Sequence, residues 1–134
     1  MGLIIDSTEL IRVERDNAVP RLQGLRTFGE GCSIAAIQVT ELAVGLFRAD
    51  SDLRRAEREA FLQTVLSEFT LIPFGEREAR ETARLQVLLQ QSGQPIGDRD
   101  LQIAATALVH GHEIVTRNVR EFGKIPGIRI IVPS

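Results

Sequence analysis

The chain has one cysteine, one methionine and one lysine, and neither tryptophan nor tyrosine. The lone Cys32 rules out an internal disulfide and a cysteine metal cluster, and reads as a buried, inert thiol. A formal net charge of −2 without Trp or Tyr argues against holding nucleic acid by bulk charge or by platforms of stacked bases. Contact through a local patch stays open, and fifteen of the sixteen basic residues are Arg, which suits phosphate forks. No apolar run approaches the roughly 20 residues that a membrane-spanning helix needs, and no basic region precedes the apolar opening. A cytoplasmic protein without membrane contact is therefore expected. Linkers, repeats and low-complexity stretches are missing too. With 134 residues, 43% hydrophobic and 25% charged, the chain is expected to form a single ordered domain over 1–134.

What is present is organised around the opening, Met1-Gly2-Leu3-Ile4-Ile5-Asp6-Ser7. A short apolar run ending on a carboxylate reads as a buried parallel strand whose acid stands where open α/β sheets bind ligands, outside the strand ends. Asp6 has a bland alternative as the cap of a helix that begins near Thr8.

Further along, the pattern predicts helices over Thr8–Arg15 and around Ala18–Arg26, the latter with Pro20 in its first turn and Gly29 and Gly31 after it. Cys32-Ser33-Ile34 reads as a short strand. Helices follow over Ala35–Phe47, with Ile37, Leu42, Val44 and Leu46 as core candidates, and over Leu53–Phe69, with Leu53, Ala56, Ala60, Phe61, Val65 and Leu66. Thr70-Leu71-Ile72 is a strand closed by Pro73. Glu76–Gln91 is a helix with Ala79, Ala83, Leu85, Val87 and Leu88 as its apolar contacts. Another helix starts at Gly97 or Asp98, buries Ile103, Ala104, Ala107 and Leu108, and stops at Gly111. Glu113–Thr116 is a strand, Asn118–Phe122 a helical turn, and Ile128–Val132 a last strand. Strands alternating with helices predict an α/β fold, a three-layer α/β/α sandwich with a mostly parallel central sheet.

Three acids lie in mostly apolar surroundings: Asp6, Glu41 between Gln38-Val39-Thr40 and Leu42-Ala43-Val44, and Asp100 just before Ile103-Ala104-Ala105. Buried acids need partners, and divalent cations suit converging carboxylates. Each acid also has a simpler reading. Glu41 can reach solvent on a narrow polar face with Gln38 and Arg48; Asp98 and Asp100 can be a cap and a first-turn acid. Asn118 can cap the last short helix, and Glu121 can be a solvated charge. His110 and His112 flank a helix end, where a C-terminal contact or an exposed loop is the simplest role. The coincidence of the acids at strand ends is what favours a shared site.

The ordered set Leu3-Ile4-Ile5-Asp6-Ser7, Val39-Thr40-Glu41-Leu42, Asp100 to Ala107 and Ile114 to Phe122 resembles PIN-domain ribonucleases, above all the VapC toxins of VapBC toxin–antitoxin pairs. The resemblance spans nearly the whole chain, including Ile125-Pro126-Gly127-Ile128. It implies a PIN-like fold and a Mg²⁺- or Mn²⁺-dependent endoribonuclease that hydrolyses RNA phosphodiesters. By position, Asp6, Glu41 and Asp100 would be the catalytic acids, with Asp6 and Asp100 on the metal. Asn118, the fourth catalytic candidate, stands where many members carry a fourth Asp and would orient a water on the ion. Glu121, Asp98, Ser7 and Thr116 would be auxiliary, the two hydroxyls steadying Asp6 and the ion's waters. Arg12, Arg117 and Arg120, with Arg15 and Arg99 nearby, would meet RNA phosphates. The implied partners are a cognate VapB-type antitoxin, the RNA substrate and a second copy of the chain. Two alternatives stand beside this: a PIN-domain nuclease of RNA processing outside a toxin pair, and a non-enzymatic regulatory α/β domain. Against a phospho-acceptor receiver, Ser7 follows Asp6 where a second acid is wanted and Lys124 is misplaced. An Asp-x-Asp phosphatase start is excluded because Thr8 stands at its second acid.

Overall fold

A computed structural model describes residues 2–16 and 31–133. The helix expected around Ala18–Arg26 lies outside the described residues.

In chain order the elements are β1 (Leu3–Ile5), α1 (Ser7–Arg15), β2 (Cys32–Ala35), α2 (Ala36–Phe47), α3 (Asp52–Glu68), β3 (Thr70–Ile72), α4 (Glu76–Gln91), α5 (Asp98–His110), β4 (Glu113–Val115), α6 (Val119–Phe122) and β5 (Ile130–Ile131). The described strands form one sheet in the order β3-β2-β1-β4-β5, and every pairing is parallel. Ile4 lies opposite Ser33 on one side and Ile114 on the other, which fixes β1 at the centre. The chain winds outward from β1 to β3 and then crosses to β4 on the far side of β1. That reversal puts the switch point of the sheet, where open parallel sheets bind ligands, at the carboxyl ends of β1 and β4.

Strand alternation divides the core in two. Leu3, Ile5, Cys32, Ile34 and Val115 pack with Leu10 and Val13 of α1, Leu42 and Leu46 of α2, and Leu62 and Val65 of α3. Ile4, Ala35, Ile72 and Ile114 face the other way, onto Leu85 and Leu89 of α4 and Leu101, Ile103, Ala104 and Ala107 of α5. The three-layer α/β/α sandwich is thus built from a two-residue period in the strands. Cys32 is buried, as expected.

Helix registers depart from expectation in three places. Leu53, Ala56 and Ala60 of α3 are exposed, while Leu62 and Val65 are buried. Strands of three or four residues extend about 10–13 Å, whereas the 17 residues of α3 extend about 25 Å, so its first turns overshoot the sheet. On α4, Ala79, Ala83 and Val87 face solvent and the buried stripe runs Glu78, Leu85, Leu89. On α2, Gln38 is fully buried rather than part of a polar face. Gly111 ends α5 in the left-handed conformation at φ +67°, and the His112 N–H closes the helix onto the Ala107 carbonyl at 2.8 Å. Among the described residues no helix is long and apolar enough to cross a membrane.

Candidate active site

Asp6 sits one residue past β1, and its N–H carries the ladder on to the Val115 carbonyl at 2.9 Å. It occupies the residue before α1 but its side chain does not cap the helix. Instead, Asp6 Oδ2 accepts hydrogen bonds from Thr8 Oγ1 at 2.6 Å and from Thr116 Oγ1, just beyond β4, at 2.7 Å. Thr116 Oγ1 in turn accepts the Asn118 N–H at 2.9 Å. With Asp6 only 2% exposed, these hydroxyls replace the water that a buried carboxylate loses.

Glu41 reaches the same end of the sheet from α2, and the reason lies one turn earlier. The amide of Gln38 accepts the Ala35 N–H at 2.8 Å and donates to the Ile5 carbonyl, so this face of α2 turns inward toward the end of β1. Glu41 therefore does not escape to solvent: its side chain is 14% exposed, Oε1 accepts from Ser7 Oγ at 2.7 Å, and Arg99 stands 3.6 Å from Oε2. Ser7 steadies Glu41, not Asp6; Thr8 and Thr116 serve Asp6.

Asp100 enters from the first turn of α5. Its carboxyl is pushed from the ordinary 3.8 up to about 6, first by burial and then by the negative charges of Asp6, Glu41 and Glu121, against a smaller pull from Arg99. Acids from three other elements or loops thus act on Asp100. Glu121 also lies 3.2 Å from Lys124 Nζ. Asn118 precedes α6 without a side-chain capping bond. Asp98, the first residue of α5, is exposed and lines a shallow hollow with Gln86, Leu89 and Ile96, apart from the charges that act on Asp100.

Of the basic residues, Arg120 is exposed on α6. Arg12 is half-buried on α1, and its Nε finds no hydrogen-bond partner among the described residues. Arg117 pairs with Glu9, a buried acid one turn into α1 that the sequence pattern did not single out. Arg15 lies 3.6 Å from Asp16. The histidines belong to the other end of the sheet: His110 Nε2 lies 2.9 Å from Glu78 Oε2, and the His112 ring packs against Gly2.

The donor set at the strand ends is all oxygen: carboxylates of Asp6, Glu41 and Asp100, Glu121 beside them, and hydroxyls of Ser7, Thr8 and Thr116. That chemistry fits a hard divalent cation such as Mg²⁺ or Mn²⁺, not an ion that prefers Cys or His. Among the described residues no three acid, His or Cys side chains are already gathered to hold an ion; threonines, Ser7 and Arg99 engage the carboxylates instead.

A family model described as PIN domain matches residues 4–128. The chain belongs to the PIN domain family. Among its PIN-domain relatives, ribonuclease VapC1 of Rickettsia felis is 36% identical over 134 residues, covering 100% of this chain and 98% of that protein. The fold is shared with the crystal structure of VapBC2 from Rickettsia felis bound to a DNA fragment from their promoter, at a TM-score of 0.88, 22% identity and full coverage of both chains. DNA-bound VapBC from Salmonella typhimurium superposes with a TM-score of 0.86 at 25% identity, covering 98% of this chain and 97% of that one.

Proposed function

We propose that this PIN-domain protein is a VapC-type toxin, an endoribonuclease that hydrolyses RNA phosphodiesters with Mg²⁺ or Mn²⁺ and acts in the cytoplasm. The observation that carries the reading is the mutual repulsion of Asp100 with Asp6, Glu41 and Glu121 at the carboxyl ends of β1 and β4. Carboxylates crowded this way are unfavourable alone and become favourable around a cation. The full-length likeness to ribonuclease VapC1 supports the same reaction class.

Asp6, Glu41 and Asp100 would hold the ion. Bound there, a divalent cation supplies Lewis acidity for attack of water on phosphorus. The protein's own part is preorganisation. Thr8 and Thr116 fix Asp6 in one orientation, and Ser7 does the same for Glu41. Asn118, tied by its N–H to Thr116, would offer a neutral amide at the chain position where many family members carry a fourth Asp. Arg12, Arg99 and Arg120 are the candidates for phosphate contact around the rim. A VapB-type antitoxin is the partner this reading calls for, by analogy with the VapBC assemblies of like fold, and self-association as a homodimer goes with it.

The test is direct. Purified protein should cleave RNA with Mg²⁺ or Mn²⁺ and stop in EDTA. Asp6→Asn or Asp100→Asn should lose several orders of magnitude in rate, about 10³-fold or more, with an unchanged circular dichroism spectrum. Cleavage at the wild-type rate by either variant would show that the site is assigned wrongly.

A further inference from the structure

We infer that Glu9 is a positioning residue: with Arg117 it forms a strap that holds the Thr116–Asn118 segment against α1. This rests on the nuclease reading above and adds to it a residue that touches neither RNA nor ion.

Two side-chain ties join the same two pieces of chain. The Asp6–Thr116 hydrogen bond and the Glu9–Arg117 ion pair use adjacent donors after β4 and acceptors three residues apart at the start of α1. Between the ties the backbone turns tightly: the Val119 N–H bonds to the Arg117 carbonyl at 2.9 Å, and Asn118 has φ −82° and ψ 59°. A single backbone hydrogen bond closes this inverse γ-turn, so the side-chain ties on either side of it hold Asn118 in place.

Stability alone does not account for Glu9. It is 3% exposed, and Oε2 has no hydrogen-bond partner among the described residues. A buried carboxylate whose ion-pair partner stands at the surface and whose second oxygen is unpaired adds little or nothing to the folded state relative to a well-packed apolar side chain of similar size. What it does supply is a fixed position for Arg117, and through it for Thr116 and Asn118. Arg117 then serves as an internal tie in place of the phosphate contact expected from its neighbourhood in the chain.

The experiment compares wild type with the charge-neutral double variant Glu9→Met/Arg117→Met and with Glu9→Gln. Melting temperature, kcat and KM with Mn²⁺, and binding of a fluorescein-labelled single-stranded oligoribonucleotide in EDTA are measured for each. The double variant should melt at or above the wild-type temperature. Its kcat should fall about tenfold or more, while RNA binding and its salt dependence stay within about twofold. Glu9→Gln, which keeps an acceptor for Arg117, should recover most of the rate. Weaker RNA binding with a salt slope lower by about 0.7 would make Arg117 a phosphate contact and overturn the strap. Unchanged kcat would overturn it equally. Should Glu9→Gln not fold, the double variant decides alone. Failure of the wild type to cleave RNA would strike the nuclease reading itself, and is told apart from failure of the strap by that control.

Discussion

Replacing Asp100 by Asn should stabilise the metal-free protein near neutral pH. The carboxyl of Asp100 is raised from 3.8 to about 6 by burial and by Asp6, Glu41 and Glu121. At about 1.4 kcal/mol per pH unit, the bound on the cost of its charge is about 3 kcal/mol. Asp100 is half-buried, so solvent screening brings the figure to about 1–1.5 kcal/mol. The folded value lies above the unfolded one, so the cost is present in full above pH 6, shrinks as pH falls through 6, and vanishes below about 3.8. In EDTA at pH 7.5, Asp100→Asn should therefore melt about 3–6 °C above wild type, and the gap should close by pH 4. Taking the difference at each pH cancels opposing contributions, including that of His112, whose burial lowers its own value. Adding Mn²⁺ should reverse the order, because wild type gains the binding free energy and the variant gains little. Differential scanning calorimetry across pH 4–8 reads all of this. A variant less stable than wild type at pH 7.5 in EDTA, or a gap that does not change with pH, would refute the crowding of acids.

Thr116→Val keeps the shape but removes a donor to Asp6 and the acceptor of the Asn118 N–H; kcat should fall about 10–100-fold, with stability lower by about 1–3 kcal/mol in urea denaturation. Gln38→Leu adds apolar surface yet leaves the Ala35 N–H and Ile5 carbonyl without the amide, so it should destabilise by about 2–4 kcal/mol, and a neutral result would show that another group takes over both. Leu85→Ala should cost about 2–5 kcal/mol, while Val87→Ala, one turn face away and half exposed, should stay within about 0.5 kcal/mol; equal effects would mean that the buried face of α4 is misplaced.

The strands and the order of the layers were legible in the sequence because buried parallel strands write themselves as short apolar runs, Leu3-Ile4-Ile5 above all. Helix faces were less so. Leu53 keeps helical spacing yet lies at the overshooting start of α3, a limit set by the short strands, while Val87 sits on the opposite face of α4 from the buried Leu85 and Leu89. The acids Asp6, Glu41 and Asp100 stood out as charges in apolar surroundings, and the structure brings them into one electrostatic neighbourhood. Their supporting residues did not stand out. Thr8, Glu9 and Gln38 look like ordinary polar helix residues; Thr8 stays exposed and reaches back to Asp6, while Glu9 and Gln38 are buried against Arg117 and the Ile5 carbonyl, far away in the chain. For Gln38 a local signal existed, since it stands three residues after Ala35 at the start of a helix, where a side-chain amide can reach back to the preceding N–H.

The most direct measurement of the shared site is an anomalous difference map from crystals of the protein soaked in Mn²⁺. Density within coordinating distance, about 2.1–2.3 Å, of both Asp6 and Asp100, with Glu41 beside it, is the expected result. Manganese bound elsewhere, with Asp6 and Glu41 still held by their hydroxyl partners, would contradict it.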